Sequence, residues 1–248
     1  METQKILGVK FNILDQAGFI KEINQELSKN RYDSKYVVTP NAEIVMQARK
    51  NLKLNEILNS AWLSSPDGSG ILLASKLLPG RVAFEERVAG FDLMEELIEL
   101  ASQKNYSVYF LGGRPGVAYK ARENLLKNYS ELNICGCHHG YLNDKLEEKV
   151  IEDINQQKPD LLLIGMGAPR QEYFIAEYKD RLNIKVALTV GGSFDVISGE
   201  KARAPVWVQK IYLEWLYRLL QEPSRWQRIL VLPHFVFIIL INSIKTKG

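Results

Sequence analysis

The feature that most constrains this fold is the alternation of short apolar, β-branched runs with stretches of helical periodicity. Segments 36–39, 107–111, 133–137, 160–165 and 185–190 read as strands. Helical patterns fall near 15–29, 42–59, 69–78, 91–104, 116–128, 144–157, 170–180 and 205–221. Strands separated by helix-length segments pair in parallel, through crossovers that cover the sheet. The expected class is therefore α/β, a Rossmann-like parallel sheet with helices on both faces. Ligands of such sheets bind beyond the carboxyl ends of the strands, so the loops after each strand carry the functional question. A chain of 248 residues holds one such domain and an appendage. The break falls at GEKARA, which gives an α/β core over 1–198 and a C-terminal helical appendage over 199–248.

The appendage is unusual in composition. PVWVQKIYLEWLYRLLQEPSRWQR, residues 205–228, is apolar almost all round, and ILVLPHFVFIILIN follows it. Such a helix needs cover from protein or lipid. Arg218, Arg225 and Arg228 are set into it, permanently charged and shaped for phosphate. Greasy surface beside phosphate-seeking arginines points to a lipid phosphate as ligand. The formal net charge of +3 is uneven: residues 196–248 carry +5 and the first 195 carry −2. Basic excess at the apolar end favours an anionic membrane surface over nucleic acid, with a merely soluble basic helix as the alternative.

Other classes are disfavoured. The N-terminus lacks the long apolar core of a targeting signal. The longest unbroken apolar run near the end, 235–241, falls far below the ~20 residues of a membrane span. The tail is expected to lie in the membrane interface without crossing it. Cys135 and Cys137 sit too close for a comfortable disulfide and suit a reducing cytoplasm. With His138 and His139 they put four potential ligands on one strand end, which cannot wrap a tetrahedral ion, so no metal and no cofactor are expected.

Each strand-following loop has a plain reading beside a functional one. Thr39 and Asn41 in TPNAE cap a helix or face a ligand. Asp67 in SSPDGSG sits in a Pro-Asp-Gly turn. Gly112 and Gly113 in FLGGRPG permit close backbone approach to a nucleotide or simply a tight strand-to-helix turn. Gln171 follows Pro169 in GAPRQE, with Glu172 beside it near the mouth of the sheet. Gly191, Gly192 and Asp195 end the last strand, where Asp195 either caps a turn or meets a ligand. Neither a dinucleotide fingerprint nor a Walker loop is present, which disfavours an oxidoreductase.

Taken in order, PDGSG, ERVAGFDLM, FLGGRPG, HHGY, GAPRQE, GGSFDVISG, RAPVW and EWLYRLLQEPSRWQR resemble the successive motifs of the WecG/TagA/CpsF glycosyltransferases, glycosyltransferase family 26. The resemblance spans roughly 5–230 and is strongest to the TagA branch. It implies inverting, metal-independent transfer of N-acetylmannosamine from its UDP donor to undecaprenyl-diphospho-N-acetylglucosamine, in wall teichoic acid linkage-unit synthesis at the inner membrane face. It further implies Asp67 as base, with Thr39 and Asn41 in the same pocket and Arg87 on donor phosphate or sugar. Gln171 and Asp195 would face the nucleotide, and Arg218, Arg225 and Arg228 the diphosphate. A plainer reading of Arg218 is an ion pair with Glu214, four residues earlier. A carboxylated donor, UDP-N-acetylmannosaminuronate, would need another cation, with Arg87 and Arg114 as candidates. Outside the enzyme class stands a non-catalytic nucleotide-binding membrane adaptor. Oligomeric state is not readable from the sequence.

Overall fold

The computed structural model describes residues 1–80, 82–211, 213–221 and 231–245, with backbone alone for Lys210, Arg218 and Lys245. Its centre is a six-stranded sheet built from β3 (Lys35–Val38), β4 (Leu63–Ser64), β5 (Val108–Gly112), β6 (Ile134–His138), β7 (Leu161–Gly165) and β8 (Val186–Thr189). The order is β4-β3-β8-β7-β5-β6, and every pair is parallel. The central strands β5 and β7 are buried at every position, as expected of a sheet covered on both faces. Two apolar clusters result. One joins Tyr36, Val38, Leu162 and Ile164 to helices on one side; the other joins Val37, Phe110, Leu163 and Leu188 to helices on the opposite side. Alternate residues of one strand thus serve opposite layers.

The layers comprise α1 (Gln16–Leu27), α2 (Ala42–Ala48), α3 (Leu52–Ser60), α4 (Ser69–Leu77), α5 (Gly90–Lys104), α6 (Val117–Asn128), α7 (Asp144–Gln157), α8 (Arg170–Tyr178) and α9 (Ser193–Ile197). The chain ends in α10 (Val206–Lys210), α11 (Glu214–Gln221) and α12 (Val231–Lys245).

Several elements depart from the sequence expectation, among them β4 and α9, which fall in segments read as loop. A hairpin, β1 (Thr3–Ile6) and β2 (Val9–Asn12), precedes α1, and its turn places Leu7 and Gly8 at φ of 48° and 88°. Positive φ at both turn residues matches the twist of paired strands. The single helix expected over 42–59 is two, because Asn51 caps a new start by accepting from the Leu54 N–H at 3.1 Å. The expected helix over 205–221 is also two, α10 and α11.

The apolar tail is partly core. Phe235 and Ile239 of α12 are 1% exposed and join the cluster that holds α2 and α4. Each such burial contributes about 2 kcal/mol. Among the described residues no helix is long and apolar enough to cross a membrane.

Candidate active site

A cavity of about 320 Å³ opens beyond the carboxyl ends of β3, β8 and β7, walled on its far side by α11. The cavity thus lies at the carboxyl edge of the sheet, where ligands of parallel α/β sheets bind. Thr39, Asn41, Asp67, Arg87, Gln171, Gly191 and Gly192 all line it.

For Thr39 and Asn41 the capping and the ligand-facing readings coexist. Asn41 caps α2, its Oδ1 accepting from the Ile44 N–H at 3.1 Å. The Thr39 hydroxyl donates to the Thr189 carbonyl at 3.1 Å, bridging β3 and β8. Gly90 explains the glycine of ERVAG, since a Cβ there would meet Thr39 Oγ1 at 2.9 Å. Helix α5 can therefore begin directly against the β3 loop.

Asp67 lies in the turn after β4, where its N–H donates to the Ser65 carbonyl at 3.0 Å. The next residue, Gly68, has φ of 88°, a conformation L side chains rarely adopt, and it starts α4. The Val88 N–H donates to the Pro66 carbonyl at 3.2 Å, tying the segment that carries Arg87 to the loop that carries Asp67. Among the described residues no side chain caps the N-termini of α4, α5 or α8, and residues of all three starts line the cavity. Uncapped amide groups of helix starts favour an anion.

Arg87 is the electrostatic centre. Its Nη1 donates to Glu214 Oε2 at 2.9 Å, and its Nη2 stands 3.6 Å from Asp92 Oδ2. Burial disfavours its charge, but Asp67, then Glu214 and Asp92, outweigh it and hold the guanidinium above its ordinary range. Arg203 adds a second cation. It bonds Asp92 and Glu95 and lies 4.2 Å over the Phe91 ring. Lys201 lines the wall and pairs with Asp195 at 3.2 Å.

Several expected site residues lie elsewhere. Asp195 stands behind Lys201 and is not in the cavity wall. Gly112 and Gly113 are also outside it. A Cβ on Gly112 would come within 2.4 Å of the Gly165 carbonyl oxygen, and one on Gly113 within 2.7 Å of Val117, so strand and helix packing accounts for both. Arg114 is exposed and pairs with Glu200 at 3.5 Å. Arg225 and Arg228 lie outside the described residues, as does the Arg218 side chain. The alternative pairing of Glu214 with Arg218 falls on a side chain outside the described residues; Glu214 accepts from Arg87, 127 positions earlier in the chain. That contact, and the wall positions of Lys201, Arg203 and Trp215, had no local signal in the sequence beyond the basic GEKARA segment. Glu172 is 1% exposed, bonds Gln171, and is pushed up to about 7 by burial. Among the described residues no three His, Cys, Asp or Glu side chains gather as a metal-binding set.

The profile of the Glycosyl transferase WecG/TagA/CpsF family matches residues 4–248. A Bacillus spizizenii protein is 35% identical over 241 residues, covering 97% of this chain and 91% of the relative. A Staphylococcus aureus (strain MRSA252) protein is 33% identical over 242 residues, covering 98% and 94%. A third relative, from Bacillus subtilis (strain 168), is 32% identical over 243 residues, covering 97% and 92%. All three are named N-acetylglucosaminyldiphosphoundecaprenol N-acetyl-beta-D-mannosaminyltransferase. With a six-stranded parallel sheet, a cavity at its carboxyl edge and a family match that runs to the last residue, this chain belongs to the WecG/TagA/CpsF glycosyl transferase family.

Proposed function

We propose that this chain transfers N-acetylmannosamine from UDP-N-acetylmannosamine to undecaprenyl-diphospho-N-acetylglucosamine, with inversion, forming the β-1,4-linked linkage unit of wall teichoic acid. The names of the relatives support the acceptor and the sugar. The observation that carries the reading is the convergence of the Asp67 carboxylate and the half-buried Arg87 guanidinium on a cavity ringed by uncapped helix starts and walled by amphipathic α11.

Asp67 accepts the proton of the acceptor hydroxyl as that oxygen attacks the anomeric carbon. The bond to UDP breaks on the opposite face, and charge builds on the departing diphosphate. Arg87 and the amide groups of the α4 and α5 starts meet that charge, and Arg218, Arg225 and Arg228 of the appendage are assigned to the same diphosphate. This assembly takes the part a divalent ion plays in other transferases. Gln171, Gly191, Gly192 and Lys201 border the nucleotide, with Asp195 holding Lys201 from behind. The division into a 1–198 core and a 199–248 appendage follows the same logic: the core holds the donor, the appendage covers it and meets the lipid.

The appendage also carries the proposed contact with the inner face of the cell membrane, where the protein acts peripherally. Helix α12 turns Phe237, Leu240, Ile241 and Ile244 outward, an i, i+3, i+4, i+7 stripe that nothing in the fold covers among the described residues. Val206, Trp207, Ile211 and Leu220 add exposed apolar surface from α10, α11 and the residues beside them.

The test is turnover with UDP-N-acetylmannosamine and a lipid-linked diphospho-N-acetylglucosamine acceptor in EDTA, comparing wild type with Asp67→Asn. Wild-type turnover that falls at least ~100-fold in the variant, with UDP still bound, is expected for loss of a general base. Equal rates in the two proteins would remove Asp67 from that role. UDP binding without turnover would redirect the search to other donors, a carboxylated sugar first.

A further inference from the structure

Among the described residues two carboxyl side chains are buried, and while Glu26 pairs with Lys29 and Lys35, Glu172 faces no cation. It lies in the first turn of α8 and is 1% exposed. Its Oε1 accepts from Gln171 Nε2 at 2.8 Å, and its Oε2 has no hydrogen-bond partner among the described residues. A buried polar atom left unpartnered destabilises the fold. An apolar residue of the same shape would avoid that cost, so the oxygens of Glu172 need a reason.

The reason lies one residue away. Gln171 lines the cavity, and its Oε1 accepts from the Gly191 N–H at 3.0 Å. A side-chain amide has a donor end and an acceptor end of nearly equal shape and flips unless its partners differ. Here they differ. Gly191 offers a donor to one end and Glu172 an acceptor to the other, so both partners select the same orientation. Gly191 in turn has φ of 56° and begins the turn that leads through Gly192 into α9, and both glycines are cavity wall. We propose that Glu172 is a positioning residue for the donor pocket: its buried carboxyl fixes the Gln171 amide and, through it, the Gly191–Gly192 turn against which the nucleotide-sugar seats. This rests on the donor reading above.

The carboxyl does this in either protonation state, since Oε1 accepts from Gln171 whether or not Oε2 carries a proton. The titratable and charged groups on the elements packed against α8 leave it alone: α3 and β8 contact α8, and burial with the Gln171 and backbone hydrogen bonds accounts for the behaviour of Glu172 without any charged neighbour.

Because the relay shapes a wall and touches no reacting atom, its loss should weaken donor binding more than it slows the bound complex. The experiment compares full-length wild type with Glu172→Met, which keeps the volume and removes the acceptor, and Glu172→Gln, which keeps an acceptor oxygen. Gln171→Ala and the Gln171→Ala/Glu172→Met double variant complete a cycle. UDP Kd is read by calorimetry, donor KM and kcat by turnover, and folding by thermal melting. The expected result is a UDP Kd and donor KM raised about tenfold in Glu172→Met, kcat within about twofold, and a melting temperature equal to wild type or higher. Glu172→Gln should restore binding to within about threefold, and Glu172→Met should add less than twofold in the Gln171→Ala background. Unchanged Kd in folded Glu172→Met, or effects that multiply in the double variant, would overturn the inference alone. Wild-type protein that binds no UDP would overturn the donor reading and this inference with it.

Discussion

Folding takes the Glu172 carboxyl from an ordinary value near 4.5 up to about 7. The sign of the resulting pH dependence follows from that direction. A carboxyl whose pKa rises on folding binds its proton more tightly in the native state, so its contribution is fully present below ~4.5 and is lost as pH climbs to ~7. The span corresponds to about 3 kcal/mol. Glu172→Gln does not titrate, so its stability relative to wild type should rise between pH 5 and pH 8 by an amount of that order. Denaturant melts at the two pH values check this, and a constant difference would mean that the native carboxyl keeps its ordinary pKa. Gly112 gives a second prediction at the same scale. A methyl group there meets the Gly165 backbone at 2.4 Å and cannot be relieved by a rotamer change. Gly112→Ala should cost at least ~2 kcal/mol of stability, whereas a glycine needed only for phosphate would lose ligand affinity and melt normally. Gly112 also shows a limit of reading residues from sequence. Glycines that let two strands approach and glycines that let a phosphate approach are the same letters in the same loop. Asp67, Arg87 and Gln171 were legible because each stands in a distinctive motif immediately after or between strands, where this sheet type gathers its loops.

Among the elements, α11 depends on a contact that crosses most of the chain. Glu214 and Arg87 have side chains only 15% and 14% exposed, so their hydrogen-bonded pair is poorly screened. Losing one charged partner of such a bond costs about 2 kcal/mol, enough to raise an opening equilibrium about thirtyfold. Glu214→Gln should therefore speed tryptic cleavage after Lys210 by about that factor without lowering the melting temperature of the sheet. Identical cleavage rates would show that α11 is held by its apolar contacts alone. This pair was not legible beforehand, because Glu214 has an arginine four residues along its own helix and sequence spacing favours the local partner. Five of the six parallel strands were legible, since β5, β7 and β8 in particular are continuous apolar runs that tolerate burial on both faces, whereas β4 is two residues long and carries no pattern. The β1–β2 hairpin was not. Its strands are four residues each, Gln4, Lys5 and Lys10 interrupt them, and Leu7-Gly8 lacks the Asn-Gly or Asp-Gly signal of a tight turn. The split between α2 and α3 was equally hidden, because apolar periodicity runs through it and only the Asn51 cap marks the new start.

Across the whole molecule, charge and apolar surface are sorted to one end. Residues 196–248 carry +5 against −2 for the rest. Helix α12 serves two surfaces at once: Phe235 and Ile239 anchor it to α2 and α4, while Phe237 and Ile244 on the other side are 61% and 72% exposed. Leaving such side chains in water forgoes about 2 kcal/mol each, a cost that a membrane interface would recover, with nearby basic residues drawn to anionic headgroups. Phe237→Ser/Ile244→Ser should therefore lower partition onto vesicles containing anionic lipid by at least ~10-fold. Added salt should weaken wild-type binding as it screens the electrostatic part. Because both positions face outward, the melting temperature should stay at the wild-type value. Turnover then separates the membrane from the chemistry. The double variant should keep its rate on a short-chain, water-soluble acceptor and lose it on an acceptor embedded in vesicles. Equal loss on both would mean that α12 acts on the cavity, through Leu232 in its wall, and not on the lipid.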